Sequence, residues 1–119
     1  MILSRFMKQN EIWLINLDPT KGSEIKKTRP AIIVNHNSLG RLPLKIIIPI
    51  TDWKEKYNIA PWMVKIDPTP ENGLSKVSTA DCFQIRSLSE ERLIKKLGTV
   101  DLSTINEVKQ AMKKVLDLL

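Results

Sequence analysis

The stretch EIWLINLDPTKGSEIKKTRPAIIV, from Glu11 to Val34, decides the fold because it reads as two strands joined by a polar loop. Glu11 to Leu17 is rich in aromatic and branched apolar side chains, which would fill both faces of a strand. Asp18 to Gly22 is a turn sequence, since proline presets φ and glycine tolerates positive φ. Pro30 favours extended backbone at Arg29, and a buried strand is predicted to continue from there.

The middle of the chain predicts further short strands. Leu44 to Ile50 is the most β-branched run, and Pro49 near its end predicts a sheet edge or a strand terminus. A charged excursion over Thr51 to Asn58 follows. Strands are then predicted at Trp62 to Ile66, Leu74 to Arg86 and Leu97 to Val100.

The C-terminal segment changes to a helical period. One apolar stripe is formed by Ile105, Val108, Met112, Val115, Leu116 and Leu119. Thr104 and Glu107 have the spacing of a capping box, which predicts the start of the helix there. Short strands followed by one helix predict a mainly β fold, a small antiparallel barrel with the helix packed on it as a lid.

Length and composition limit the classes of protein to which this chain can belong. A chain of 119 residues predicts one domain over 1–119, with residues 1–9 as a loose N-terminal extension. No apolar run approaches the roughly 18 residues of a membrane span, and no secretory signal is predicted. With Cys82 as its single cysteine, the chain can form no internal disulfide and no zinc ribbon. The cytosol is therefore the expected compartment.

The positive charge is concentrated in one segment. Residues 20–60 contain eight basic and three acidic residues, so they carry +5 of the net charge of +6. The basic residues are Lys21, Lys26, Lys27, Arg29, Arg41, Lys45, Lys54 and Lys56. Such a segment favours a polyanionic partner. On charge alone, a solvated surface that aids solubility is an equal alternative.

Four segments, in this order, resemble the MazF/PemK family of toxin ribonucleases. They are IWLINLDPTKGSE at 12–24, RPAIIV at 29–34, IIPIT at 47–51, and QIRS at 84–87 with the Arg92-Leu93 pair behind it. The resemblance runs from Glu11 into the C-terminal helix, which is nearly the whole chain.

The resemblance implies a small SH3-like antiparallel barrel of the CcdB/MazF type that forms a homodimer. It implies a cytoplasmic endoribonuclease that cuts single-stranded mRNA at a short sequence and needs no metal or cofactor. Attack by the 2′-hydroxyl on its own 3′-phosphate would leave a 2′,3′-cyclic phosphate and a 5′-hydroxyl. The implied partners are the RNA and an acidic antitoxin, with DNA reached only through the antitoxin and no membrane. The sequence gives the dimer some support of its own. Apolar runs such as Ile46 to Ile48, with Trp13 or Trp62, would need to be covered by other protein surface.

Three residues are the predicted catalytic set. Arg29 has five donors in a rigid fork and can hold a phosphate that gains charge in the transition state. The alternative is a structural Arg29 that is paired with Glu24 or stacked on Trp13. The resemblance pairs Arg29 with Thr51, whose hydroxyl could bond the phosphate or orient the 2′-hydroxyl. Glu24 is the predicted proton acceptor, and a solvated carboxylate or an ion pair to a nearby lysine is its alternative.

Other residues are predicted to contact RNA. Lys27 would position a phosphate and Gln84 could read a base edge, and Thr28 and Arg86 are also predicted to contact the RNA. Trp53 could stack on an unpaired base together with Tyr57, or lie in a flap folded over the barrel. His36 is the sole histidine, and imidazole is a common acid–base group, but this residue is more readily explained as a loop residue.

Two other functions fit parts of the same sequence. A barrel of the CcdB type would inhibit a protein such as gyrase and would not need Arg29 and Thr51. A non-catalytic RNA-binding SH3-like module would need only the basic segment. Some PemK-type relatives have an Arg and an Asp shortly before the QxR-like segment. Here Asp81 and Phe83 occupy those places, so the prediction rests on Arg29 and Thr51.

Overall fold

The computed structural model describes residues 7–39 and 43–119, in which seven strands precede one helix. The elements are β1 (Glu11–Asn16), β2 (Thr28–Ile33), β3 (Leu44–Asp52), β4 (Met63–Ile66), β5 (Ser78–Asp81), β6 (Arg86–Ser89), β7 (Leu93–Thr99) and α1 (Leu102–Val115). Short 3-10 helices cover Glu55–Ile59, Cys82–Gln84 and Glu90–Arg92. The strands pair antiparallel in the order β4-β5-β3-β2-β1-β7, with β6 also beside β3. The predicted mainly β fold with a C-terminal helix is confirmed.

Strand β3 lies at the centre of the sheet and changes its partner along its length. It pairs with β2 on one side. On the other side, Leu44 to Ile47 pair with β6 and Ile50 to Asp52 pair with β5. Pro49 falls between these two pairings, where a residue without an N–H is tolerated. The prediction that Pro49 marks a sheet edge or a strand end is therefore wrong, since β3 continues past it and its side chain is buried.

The three central strands bury side chains on both faces. Ile12, Ile32 and Ile48 lie in one apolar cluster, which also holds the buried side chains Ile105, Val108 and Ala111 of α1. Successive residues on the same strands belong to a second cluster, which includes Trp13, Ile15, Ala31, Ile33 and Ile47. The helix therefore covers one face of the sheet, as predicted. Leu116 and Leu119, at the end of the predicted stripe, lie beyond the helix and are exposed.

A close backbone crossing joins the two ends of the sheet. Among the described residues no ladder links β4 to β7, so the barrel is not closed by strand pairing. The segment before β5 instead packs on β7, where the Thr99 N–H donates to the Glu71 carbonyl at 2.8 Å. A Cβ on Gly73 would lie 2.1 Å from the Leu97 carbonyl oxygen, and one on Gly98 would lie 2.2 Å from that of Glu71. Only glycine fits at these two positions.

Two predicted strands have different bounds in the structure. The region predicted as one strand from Leu74 to Arg86 contains β5, a 3-10 turn and the start of β6. The Asp81 carboxylate accepts the Phe83 N–H at 3.1 Å, which stabilises the turn after β5. Strand β7 is longer than predicted and pairs with β1 through two register shifts. The predicted excursion at Thr51 begins later, because Thr51 and Asp52 still belong to β3.

The helix begins earlier than the proposed capping box. Asp101 is the N-cap, and its carboxylate accepts the Thr104 N–H at 2.7 Å. Thr104 is therefore inside the helix, and the prediction that it caps the helix is wrong. Aspartate is as good an N-cap as threonine, and it has the extended backbone that a cap requires.

The N-terminal residues that the structure describes are held by the fold. Met7 is buried, and the Gln9 N–H donates to the Asn37 side chain at 2.7 Å. Residues 7–9 are therefore not loose, whereas residues 1–6 of the predicted extension lie outside the described residues. Arg41, counted in the basic segment, also lies outside them. In the described parts of the chain, the helix is neither long nor apolar enough to cross a membrane.

Candidate active site

Arg29 and Thr51 line the same cavity, of about 350 Å³. The register pairs Ala31 of β2 with Pro49 of β3. Arg29 lies two residues before Ala31, and Thr51 lies two residues after Pro49. Because the strands are antiparallel, moving back along β2 and forward along β3 leads in the same direction. Arg29 and Thr51 therefore lie at the same end of this strand pair. The pairing of β2 with β3 thus brings the two predicted catalytic residues together.

Arg29 has neither of the structural partners that were its alternatives. It forms no ion pair with Glu24 and no stack on Trp13, and its half-buried side chain has no ion pair with any described residue. Its Nε is buried and has no hydrogen-bond acceptor in this part of the chain. A buried donor without an acceptor is rare in folded proteins and calls for an explanation. The fold thus leaves hydrogen-bonding capacity unused on a guanidinium that lines the cavity.

The walls of this cavity are more basic than the sequence patterns indicated. Lys76 and Lys95 line it together with Arg29, and Asp52 is the carboxylate among its lining residues. Both Asp52 oxygens lie 3.1 Å from the Lys76 Nζ. With this pair neutralised, Arg29 and Lys95 leave a net positive charge. The cavity therefore suits a phosphate.

Glu24, Gln84 and Arg86 line a second cavity, of about 540 Å³, with Ser23 and Phe83 also in its wall. The cavities are adjacent along one face of β3, since Pro49 lines this one and Thr51, two residues further on the same face, lines the first. Glu24 is therefore near the Arg29 cavity but outside its lining, and its Oε1 accepts the Lys21 N–H at 2.5 Å.

Gln84 holds the loop between β1 and β2 in place. Its Oε1 accepts the Ile25 N–H at 2.6 Å, and its Nε2 donates to the Asp81 Oδ2 at 3.0 Å. Burial raises the pKa of Asp81 above its ordinary value, and hydrogen bonds from Gln84 and Phe83 oppose that shift. The predicted RNA-binding residue Gln84 thus has a positioning contact, with one N–H and one lone pair left over.

Lys27, Trp53 and His36 line neither cavity. Lys27 has a φ of 68° and an exposed side chain, at the point where the loop turns into β2. The Trp53 ring packs against Tyr57 at 6.0 Å and under the Lys65 ammonium at 5.2 Å. His36 is exposed, and its Nδ1 lies 2.7 Å from the Ser38 hydroxyl. Thr28 does line the Arg29 cavity.

Metal ligands and an activated thiol are not found in the described part of the chain. No three His, Cys, Asp or Glu side chains there are grouped so that they could hold a metal ion. Burial, with a smaller effect of Asp81, raises the pKa of the Cys82 thiol to about 12. Cys82 is therefore an inert core residue.

Sequence reasoning missed Lys76, Lys95 and Phe83. Lys95 reaches the Arg29 cavity because the register of β1 and β7 pairs it with Leu14. Phe83 enters the wall of the second cavity because a 3-10 turn interrupts the predicted strand. Neither the register nor that turn has a signal in residue type alone.

Comparison with known proteins decides the family. Residues 8–116 match the family described as the PemK-like, MazF-like toxin of type II toxin–antitoxin systems. The chain belongs to this toxin family. It is 31% identical to endoribonuclease MazF9 of Mycobacterium tuberculosis over 94% of this chain and 98% of that one. It is 31% identical to endoribonuclease PemK of Escherichia coli over 92% of this chain and 82% of that one.

Solved structures of MazF proteins have the same fold as this toxin. MazF of Deinococcus radiodurans matches with a TM-score of 0.78 and 22% identity, covering 93% of this chain and 96% of that one. An endoribonuclease from a mycobacterial species, solved with its cognate antitoxin, matches with a TM-score of 0.75 and 18% identity, covering 94% of this chain and 96% of that one. The expected MazF-like architecture is confirmed.

Proposed function

We propose that this toxin is an endoribonuclease that cleaves single-stranded mRNA at a short sequence, with residues 1–119 acting as one domain. The observation that carries the proposal is the cavity shared by Arg29 and Thr51, in which a buried Arg29 donor lacks an acceptor among the described residues. The endoribonuclease names of its relatives support the same activity. They favour it over the inhibition of a protein target and over a binding module without catalysis.

The proposed reaction is attack by a 2′-hydroxyl on the adjacent 3′-phosphate. The 2′-oxygen forms a bond to phosphorus, the 5′-oxygen of the next nucleotide leaves, and the products are a 2′,3′-cyclic phosphate and a 5′-hydroxyl. Charge develops on the phosphate oxygens, and Arg29 would bind them through its forked donors. Lys95 would add a second positive charge, and the Thr51 hydroxyl would donate to the phosphate or orient the 2′-hydroxyl.

Glu24 is the proton acceptor that we propose. Its carboxylate lies in the adjacent cavity, so residues Lys21 to Glu24 must shift, ahead of the Ile25 N–H that Gln84 holds, to bring it to the 2′-hydroxyl. Residues Lys21 to Glu24 are exposed, and a shift there breaks few contacts. Catalytic hydrogen bonds often tighten only once substrate is bound.

The same surface suggests the partners. Lys27, Thr28 and Arg86 would contact the RNA backbone, and the left-over groups of Gln84 would contact a base. The Trp53 ring packs against Tyr57 and the Lys65 ammonium, so it would contact RNA only through the part of the ring that these two residues do not cover. An acidic antitoxin would bind this basic surface and reach DNA through its own separate region. Because mRNA is the substrate, the cytoplasm is the compartment that we propose.

We also propose a homodimer. Of the apolar residues expected to need covering, Trp13, Ile47 and Ile48 are buried within the chain. Ile46 stays 40% exposed, next to Leu44 at 42%, and a second copy could cover them.

A labelled mRNA incubated with the purified protein in EDTA tests the proposed function. We expect cleavage at a short recurring sequence, since the protein's own cations can stabilise the phosphate charge. The downstream fragments should accept phosphate from a polynucleotide kinase without prior dephosphorylation, because their 5′ ends are free hydroxyls. RNA retained without cleavage would instead indicate a binding module, and neither cleavage nor retention would indicate a protein target.

A further inference from the structure

Two aromatic side chains are exposed beside the cavity that Gln84 and Arg86 line. Phe83 is 66% exposed and Trp62 is 38% exposed. Their ring centroids lie 5.9 Å apart with an angle of 64° between the planes, an edge-to-face contact. Exposed aromatic pairs of this kind leave apolar area in water and are typical of binding surfaces.

Hydrogen bonds fix the backbone segments that carry the two rings. The Cys82 N–H donates to the Trp62 carbonyl at 3.0 Å, which ties the start of the 3-10 turn to the residue before β4. The Asp81 carboxylate accepts the Phe83 N–H, and Cys82 between them is fully buried. Phe83 therefore projects from a fixed turn, and a ligand that contacts it meets a surface already ordered.

The position of Phe83 indicates what the pair binds. Phe83 lies in the wall of the cavity with the Gln84 amide and the Arg86 guanidinium. This cavity adjoins the one that holds Arg29 and Thr51, because Pro49 in its wall and Thr51 lie on the same face of β3. A ligand that reaches both cavities needs a phosphate for the first and a flat group with hydrogen-bonding edges for the second. A nucleotide next to the cut site has both.

We propose that Phe83, supported from the side by Trp62, stacks on an unpaired base of the RNA next to the scissile phosphate. The assignment rests on the proposed function, and it makes Phe83 a residue that determines substrate binding. Single-stranded RNA is commonly held by aromatic rings on which unstacked bases lie. Each such stack contributes about 1–3 kcal/mol, which is about 5- to 150-fold in affinity.

Phe83→Leu tests this role, because leucine keeps an apolar side chain and has no flat face. Phe83→Trp keeps a flat face, and Ile59→Ala is the matched control, since Ile59 is 91% exposed and lines neither cavity. On a short RNA that the wild-type protein cuts, we expect Phe83→Leu to raise KM by about 5- to 150-fold with little change in kcat. Phe83→Trp and Ile59→Ala should stay near the wild-type KM. Urea unfolding of each variant checks that the fold is retained.

A set of RNAs, each with one abasic nucleotide near the cut site, identifies the stacked base. At one position the loss of the base should raise KM for the wild-type protein and leave KM of Phe83→Leu almost unchanged. If the wild-type protein cleaves RNA and Phe83→Leu has an unchanged KM, the stacking role is wrong and the proposed function stands. The stacking role is equally wrong if Phe83→Leu alters only the oligomeric state or antitoxin binding. No cleavage by the wild-type protein would overturn the proposed function itself.

Discussion

Gln84 and Ile25 are 59 residues apart in the chain, and a 2.6 Å hydrogen bond from the Ile25 N–H to the Gln84 Oε1 joins them. The bond fixes the loop between β1 and β2 at Ile25, directly after Glu24 and four residues before Arg29. Asp81 holds the other end of the same amide. Gln84 thereby couples the turn after β5 to the loop beside the candidate active site.

Gln84→Leu should loosen this loop while the rest of the fold stays stable. The Ile25 N–H would lose its acceptor, and leaving it unpaired costs about 1–3 kcal/mol of local stability. Hydrogen exchange at the Ile25 amide should become faster, and kcat for RNA cleavage should fall. Gln110→Leu, on the exposed side of α1, is the control. Gln84→Glu should fail to restore activity, because its carboxylate would face that of Asp81. Unchanged exchange at Ile25 in Gln84→Leu would show that the loop is held by other groups.

Arg29→Ala should remove most of the activity without unfolding the protein. Arg29 has no ion pair among the described residues, so the fold does not depend on its charge there. Losing a preorganised donor to the transition state typically lowers the rate by about 10²–10³-fold. Arg29→Lys keeps the charge and loses the fork, so we expect it to recover only part of the rate. Initial rates on one RNA, with Lys109→Ala as control, measure the effect. A near wild-type rate for Arg29→Ala would exclude the phosphate role.

Glu24→Gln and Asp52→Asn distinguish the two carboxylates near the site. If Glu24 accepts the proton of the 2′-hydroxyl, Glu24→Gln should lower kcat by about 10²–10⁴-fold, the usual contribution of a general base. Asp52 is paired with Lys76 at 3.1 Å, so Asp52→Asn should mainly change KM through a freed lysine. Initial rates over a range of RNA concentrations separate kcat from KM for both variants. The reverse result, with the large fall in kcat in Asp52→Asn, would assign the base to Asp52.

Lys26→Glu and Lys27→Glu should weaken the binding of RNA and antitoxin together. Both side chains are exposed on the basic loop, and an acidic antitoxin segment would need the same field. For RNA, the slope of log K against log salt should become less steep by about 1 for each phosphate that the variant no longer neutralises. A titration with RNA carrying a 2′-deoxy nucleotide at the cut site, with Lys109→Glu as control, shows whether the ligands compete. A ternary complex at saturation of both would mean separate sites.

Glu11→Gln should destabilise the protein at neutral pH and much less in acid. Burial would raise the pKa of Glu11, but hydrogen bonds from the Lys8 N–H, the Trp13 indole and the Lys96 ammonium outweigh it, so the pKa is lowered from its ordinary value of 4.5. A carboxylate with a lowered folded pKa stabilises the protein above its ordinary pKa, and this stability is lost as the pH falls through the folded pKa.

Urea midpoints at pH 7 and below pH 4.5 measure this difference. At pH 7 the loss should be about 1–3 kcal/mol, the range for a hydrogen-bonded charged group. Glu107→Gln is the control, since that side chain is exposed and forms no hydrogen bond with the described residues. An equal loss at both pH values would mean that shape rather than charge matters at Glu11.

The sequence was sufficient to predict the strands and the helix that depend on local residue patterns. The β-branched runs predicted β1, β2 and β3, and the apolar period predicted α1. The approach of Arg29 to Thr51 followed from the family resemblance, and the register of β2 and β3 explains it. The predicted bounds of an element were wrong where a single side-chain hydrogen bond sets them. Asp81 does so for the turn after β5, and Asp101 does so for the start of α1.

The surroundings of the proposed catalytic residues Arg29 and Thr51 could not be predicted in the same way. Lys95 comes from a strand with two register shifts, which depend on packing between distant residues. Gln84 was expected to face RNA, and its bond to Ile25 depends on a loop conformation without a sequence signature. Such interactions depend on tertiary structure, so residue patterns along the chain do not predict them.

The backbone crossing between Gly73 and Leu97 has a consequence for how this toxin can diversify. Both residues also line the Arg29 cavity. The width of the cavity there is therefore set by the contact between the backbone at Gly73 and the backbone at Leu97. Substitutions of nearby side chains leave this width unchanged. Ser75 and Lys76 stand in the same wall, and their side chains can change without altering that backbone spacing. Descendants of this chain could thus acquire new RNA preferences by altering the wall, while the spacing needed to cut a phosphodiester is inherited intact.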